Sequence, residues 1–513
     1  MLGLVILIHE AGHFIMAKRA GILCHEFAIG MGPILYSKKK GETLYSIRAI
    51  PIGGFVSMAG EEISDELVKV GDTIRVMFDE QNPDVISHII INEDDPKYQD
   101  ALLLNVDTID LKGKNEAPLY INTYEVKRNA YYVMKDKVLQ IAPYERSFES
   151  KTLLQRFSTI FAGPFMNFIL AFVLFVSIAF IVGLPQTDST EIASVGGQAE
   201  DAGVQSGDEL VSIGGEAVFT WDDIAIQMQE QAGETDIPFT FMRNDGNITI
   251  NITPRIQFYN AGFSSNPDIT DRLVIDSIGE GSPADTAILV DGDSETSLLE
   301  GDEITGIGYS EAAMSPVTTW NEVVDFMNEN NEGLDMVIQV VRNGDTLVYE
   351  IGPFSHEFLE GQGVKAINPQ IGIGPTYDRE FFGSFGYGLS EVGSTMGMIF
   401  STLKALFAES RVGVGDLAGP VGIYSITSSV IDLGLLAFIS WMAILSVNLG
   451  IINLLPIPAL DGGRIVFLGY EGIFRKPVNK KVENTLHFAM FVLLIGLFVF
   501  ITFNDILRLF NIR

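Results

Sequence analysis

Three stretches of the chain are long, apolar and free of Asp, Glu, Lys and Arg: residues 157–187, 433–460 and 484–504. A helix crosses a bilayer core in about 20 residues, so each predicts a membrane span, with helices over 157–184, 433–465 and 484–505. A fourth apolar run opens the chain, MLGLVILIHEAGHFIMA, broken only by His9, Glu10 and His13. It lacks the cationic lead and small-residue cleavage site of a signal peptide, which predicts a retained membrane helix over 1–20. Only eight residues precede His9: either the helix starts this close to the motif or the sequence begins downstream of the natural start. Between the first two runs the period shortens to two. LYSIRAIPIGGFVSMAG, residues 44–60, predicts apolar strands around Pro51 and the Gly53-Gly54 pair, a hairpin within a membrane-associated region over 21–60. Residues 61–150 alternate in TIRVMF, SHIIIN and YYVMKDKVLQIAP, which predicts a small β-rich insertion.

Between the second and third runs the chain repeats itself. GDELVSIGG, TWDDI and FMRNDGNITINITP in 207–255 recur as GDEITGIGY, TTWNEV and VVRNGDTLVYEIGP in 301–353. Each copy predicts a Gly-Asp turn, a strand, a helix opening near Trp221 or Trp320, and a last strand after an Asn-Gly-type turn. Two copies of one small domain are implied, over 188–256 and 270–355. They resemble the PDZ fold, which takes extended peptide ends by strand addition; spacers without a ligand are the alternative. Residues 380–432 read as an amphipathic segment leading through GPVG into the membrane. The fold class expected is therefore a multi-pass α-helical membrane protein of about four transmembrane helices. It carries soluble α+β and β insertions, two of them tandem PDZ-like domains.

Charge adds sidedness. Lys18, Arg19, Lys38, Lys39, Lys40 and Arg48 follow the first run, and Arg475, Lys476, Lys480 and Lys481 lie between the last two. The positive-inside rule puts both loops in the cytoplasm and residues 186–385 outside. That outer segment holds 36 Asp and Glu against six Lys and Arg, nearly the whole formal net charge of −33. So acidic a face repels phosphate and argues against nucleic acid as partner. The single cysteine, Cys24, excludes an intramolecular disulfide and a Cys-rich metal site.

The candidate chemistry starts with His9-Glu10-Ala11-Gly12-His13. On a helix, positions i and i+4 share a face, so both imidazoles can bind one ion while Glu10 takes a proton from water. A zinc ion with three protein ligands and an open position lowers the pKa of a water it holds to about 7. A chance pattern is the alternative, discounted because polar groups inside an apolar helix are costly. The third ligand predicted is Asp461, which ends the run NLGIINLLPIPAL just after Pro456 and Pro458. Its alternative reading is an ordinary turn aspartate. Asn448 and Asn453 could hold the backbone of an extended substrate, or merely link helices. Gly53 and Gly54 lie on the hairpin edge where a substrate strand could pair. His25 with Glu26 reads as a solvated or packing pair, and His88, His356 and His487 have no ligand-like neighbours in sequence. No Gly-Asp-Ser-Gly-Gly or Gly-x-Ser-x-Gly segment supports a serine protease.

The HEAGH helix, GGFVSMAGEE, AGPFMNF at 162–168, GPVGIY at 419–424 and SVNLGIINLLPIPALDGGR at 446–464 together resemble the site-2 protease family, in its regulator of sigma-E protease branch. The resemblance spans nearly the whole chain. It implies zinc held by His9, His13 and Asp461, Glu10 as catalytic base, and substrate held by Asn448 and Asn453. It also implies regulated intramembrane proteolysis of single-span membrane proteins such as anti-sigma factors, with PDZ modules outside that restrict bulky ectodomains. The insertion at 61–150 resembles that of Gram-positive relatives, which implies a bacterial plasma membrane with the active site toward the cytoplasm. Two features depart from the family: a shorter lead before His9, and two PDZ-like units where many Gram-positive relatives have one. A silent membrane scaffold that binds peptide tails is the rival, and it predicts no metal.

Overall fold

The computed structural model describes residues 1–60, 67–92, 95–134, 137–290, 297–362, 364–408 and 419–509. Parts of the predicted 61–150 and 380–432 segments, among them Glu61, Glu62 and residues 409–418, thus lie outside the described residues. The chain forms two compact units, Met1–Leu174 with Gly419–Arg513, and Phe175–Ala418.

The apolar runs become helices, all but the end of α2 within the first unit: α1 (Leu2–Arg19), α2 (Leu153–Val182), α3 (Pro420–Asp432), α4 (Leu435–Leu454), α5 (Asp461–Phe474) and α6 (Lys480–Leu509). Among the described residues, three helices are long and apolar enough to cross a membrane, in α2, α4 and 480–507 of α6. None of the apolar window of α6 is buried, so Phe488, Phe491, Leu493 and Phe498 present an uncovered surface that suits lipid rather than water. The expected fourth span, α1, is 18 residues long and carries Glu10, Lys18 and Arg19. The run at 433–460 does not stay helical to its end: α4 stops at Leu454, and a short loop leads to Asp461 in the first turn of α5. Pro456 and Pro458 account for the break, since neither can donate to a helical ladder. On α6 the Asp505 carboxylate accepts from the backbone N–H groups of Gly419 (3.3 Å) and Gly422 (2.8 Å). A carboxylate there offsets unpaired amides and the positive end of α3.

The predicted hairpin takes a different form. Strand β1 (Cys24–Lys40) pairs with β2 (Thr43–Met58), but β2 folds back along it. Residues 44–47 lie on one side of 26–29 and residues 54–58 on the other, so Ala28 faces both Ser46 and Phe55. The two halves of 44–58 therefore pair with β1 rather than with each other. Period-two patterning marks strands without saying which partner each finds. In the insertion, strands 102–105, 73–78, 85–90, 124–134, 119–121 and 109–110 follow one another in a seven-stranded sheet, and 137–140 also pairs with 124–134. Ile74, Val76, Ile86, Ile89, Leu119, Ile121 and Val126 fill its core.

In the second unit each sequence copy forms an antiparallel sheet packed with a ten-residue helix. The helices Trp221–Glu230 and Trp320–Glu329 open on matching capping boxes, Thr220 with Asp223 and Thr319 with Glu322. The cores are separate, one built around Ile192, Leu210, Phe239 and Phe241, the other around Ile275, Ile304, Trp320 and Tyr349. The first copy does not close within 188–256: it takes Ile371 into its core, and Ile373–Pro375 pairs with its strand Ile192–Val195. Likewise the second copy takes in Ile256, Phe258 and Phe263, from before residue 270, and Phe263–Ser265 pairs with Ile275–Ile278. The second copy is thus enclosed by segments of the first. Strands of three or four residues carry too short a period to be assigned from sequence.

Candidate metal centre

Helix α1 places His9 and His13 one turn apart on its buried face, 6% and 8% exposed. The first turn of α5 brings Asp461 to them. His9 Nε2 lies 3.2 Å from His13 Nε2, and Asp461 Oδ2 lies 3.2 Å and 3.3 Å from the two nitrogens. The three atoms form a nearly equilateral triangle. Hydrogen bonding does not explain it, because Asp461 Oδ2 is buried with no hydrogen-bond partner. His13 Nδ1 is 2.8 Å from the Thr159 carbonyl, which only accepts, so Nδ1 carries the hydrogen and Nε2 presents a lone pair. Lone pairs thus converge on one point and call for a cation. Tetrahedral zinc with bonds of about 2.0–2.1 Å separates its ligand atoms by about 3.3 Å, the edge seen here. Among the described residues these three form the group able to hold a metal ion, and the donor set fits zinc.

Helix α2 orients the imidazoles from behind. Asn167 is buried, with its side-chain amide 3.2 Å from His9 Nδ1, and its Oδ1 has no partner. Assignment of the two amide atoms rests on the network around them. With Oδ1 turned toward His9, that oxygen accepts from Nδ1–H and the Nε2 lone pair is freed, the same tautomer as His13. Ser446 on α4 donates to the Asn167 carbonyl at 2.8 Å, tying the third helix to this backing. Glycine permits the close approach: a Cβ on Gly163 would stand 2.2 Å from His13 Nε2, and one on Gly12 would stand 2.2 Å from the Ala162 carbonyl. At the other ligand, a Cβ on Gly462 would meet the carbonyls of Leu455 and Leu454 at 2.2 and 2.3 Å. That contact explains the Asp-Gly-Gly: the loop lies directly on the first turn of α5.

Glu10 lies within electrostatic reach of both imidazoles and Asp461, and its carboxylate is hydrogen-bonded by the backbone of Val56. Gly54 lies beside it, where a Cβ would approach the Glu10 side chain to 3.3 Å. The edge 54–58 of β2 therefore runs along the base. Gly53 instead packs on Met31 with φ +93°. Asn453 donates to the carbonyl of Leu449 on its own helix at 3.0 Å, and Asn448 is half-buried on the same helix. Thr159, Gly163, Asn167 and Ser446 were not singled out from sequence. The signal that could have found them is polar or minimal residues inside an apolar span. His25 is a packing residue, with burial pushing its imidazole down to about 4, and Glu26 pairs with Arg48 and Ser46. His487 does have a neighbour: its Nδ1 accepts from the Ala459 N–H at 2.8 Å.

The family described as Peptidase family M50, the site-2 proteases, matches residues 1–497. The chain is similar to the zinc metalloprotease RasP of Bacillus licheniformis, 33% identical over 99% of this chain and 97% of that protein. It is also similar to the zinc metalloprotease RasP of Oceanobacillus iheyensis, 32% identical over 99% and 98%. A third relative, the regulator of sigma-W protease RasP of Bacillus subtilis, is 31% identical over 99% and 97%. With a family match over nearly its whole length and relatives this similar from end to end, the chain belongs to peptidase family M50 and is a zinc-dependent membrane metalloprotease.

Proposed function

We propose that this protease cleaves single-span membrane proteins of the anti-sigma-factor kind, close to the cytoplasmic face of a bacterial plasma membrane. His9, His13 and Asp461 hold the zinc, and Glu10 is the general base. The observation that carries the reading is the triangle of lone pairs with an unpartnered, buried Asp461 Oδ2. When bound, zinc supplies Lewis-acid activation of water and of the scissile carbonyl. Glu10 takes the proton of the attacking water and delivers it to the departing amide nitrogen. Thr159 and Asn167 keep both Nε2 lone pairs aimed at the ion.

The substrate enters as an extended strand along residues 54–58, whose edge runs next to the base, with the Val56 backbone bound to Glu10. Asn448 and Asn453 hold its other side, and Gly54 keeps the edge close to Glu10. Helix α1 counts as a fourth membrane helix, with Lys18 and Arg19 at its cytoplasmic end. The two acidic copies, PDZ-like, stand outside, exclude bulky ectodomains and take peptide tails. The name of the Bacillus subtilis relative, regulator of sigma-W protease, supports a role in releasing a sigma factor. The test is Glu10→Gln in purified protein with a single-span substrate: cleavage falls by about 10²–10⁴-fold while zinc stays bound. Unchanged cleavage would sink the proposal.

A further inference from the structure

The loop between α4 and α5 satisfies its backbone in an unusual way. Pro456 and Pro458 have no N–H. Ile457 donates to the Leu455 carbonyl at 2.7 Å and Leu460 to the Ile457 carbonyl at 3.0 Å, both inside the loop. The remaining amide, that of Ala459, reaches across to α6 and donates to His487 Nδ1 at 2.8 Å. Ala459 also holds φ at +87°. A residue with a Cβ is strained there, and such strain persists only where the surroundings impose it. Two residues later the chain delivers Asp461 to the triangle. A Cβ on Gly462 would stand 2.2 Å from the Leu455 carbonyl and one on Gly463 2.4 Å from the Ile457 carbonyl, so the loop lies against the first turn of α5 and a change in its path carries Asp461 with it. His487 itself is an ionisable residue in an apolar span, packed edge-on against Phe467 at 5.6 Å. Such residues are costly in a membrane and mark function.

We propose that His487 is a positioning residue: by accepting from Ala459 it holds the strained loop in the one shape that aims Asp461 at the metal. It acts through the loop and touches neither substrate nor ion. The inference rests on the reading of Asp461 as third ligand. Removal of the acceptor leaves the part-buried Ala459 N–H unpaired and lets Ala459 relax to negative φ, which swings the carboxylate away from the imidazoles.

The test is the affinity for Zn2+ alone, measured on the purified full chain in detergent by competition with a chromogenic chelator. His487→Leu is expected to weaken binding by about 10–100-fold, the usual range for a group that orients a ligand. His487→Asn, whose Oδ1 can stand where Nδ1 stood, is expected to keep most of the affinity. Ala459→Gly, free to adopt φ +87°, is expected to restore most of what His487→Leu loses. A role in helix packing alone would be rescued by neither change. Wild-type affinity in His487→Leu, beside lost affinity in Asp461→Ala, would overturn the positioning role. So would a loss in His487→Asn equal to that in His487→Leu, or a double variant no better than His487→Leu. Wild-type affinity in Asp461→Ala would overturn instead the ligand reading beneath it.

Discussion

Three aspartates among the described residues hold their carboxylates under opposite conditions. In the acidic repeats, Asp208 and Asp302 have side chains 2% and 1% exposed, and each is fully answered from within the chain. Arg243 donates to both oxygens of Asp208 at 2.7 and 2.6 Å, and the Gln205 N–H adds a third bond. Arg342 and the Leu299 N–H do the same for Asp302. Asp461, 19% exposed, faces two imidazole nitrogens and has no donor on its buried oxygen. A buried carboxylate needs a counter-charge and donors. In the repeats the fold supplies them, and there the aspartate is architecture. At the metal centre the fold omits them, and the gap has the size and donor set of a zinc ion.

That contrast can be sharpened from both sides. The largest effect is expected where the ligands are aimed: Asn167→Leu removes the partner of His9 Nδ1, and zinc affinity should fall by about 10–100-fold with the helical content unchanged. Chelator competition and circular dichroism check both halves. Smaller is the effect on the repeat, where Asp208→Ala removes the carboxylate that Arg243 and the Gln205 N–H share and leaves Arg243 only the Gly203 carbonyl. It should lower stability by about 1 kcal/mol in denaturant unfolding and leave zinc affinity unaltered. Zinc loss in Asp208→Ala would erase the distinction between the two kinds of aspartate.

The smallest effect belongs to a carboxylate paired at the surface. Hydrogen bonds from Arg146, then from Lys18, bring Glu42 down to about 2 from an ordinary 4.5. With the folded value below the unfolded one, its contribution is complete above pH 4.5 and disappears as pH falls from 4.5 to 2. Thermal unfolding across that window should therefore show a pH slope that Glu42→Gln reduces. Screening at this exposed pair keeps the change small.

The parts of the site legible in sequence are those where chemistry breaks a pattern. His9 and His13 stand out because their spacing puts two polar residues on one face of an apolar helix, and Asp461 because it ends a long uncharged run. Asn167 and Ser446 are polar too, but single uncharged polar residues are common in membrane helices and carry no partner in their names. His487 is recognisable only once the loop's amides have been traced, since nothing in the sequence announces that Ala459 has φ +87°. For the fold, the repeats were readable from their shared Gly-Asp turns and Trp helices, whereas the enclosure of one copy by the other depends on pairings over a hundred residues apart, such as Ile192 with Pro375. The fold-back of β2 was hidden for the same reason: a period of two states which face a residue takes, not which strand lies beside it.

The central claim is that Asp461 is buried for the sake of a metal. The most direct measurement is the zinc bound per chain after purification, for the wild type and for Asp461→Ala, with circular dichroism confirming the helices in each. One zinc per wild-type chain and essentially none in folded Asp461→Ala is the result expected. A folded Asp461→Ala that keeps its zinc at wild-type affinity would contradict the account.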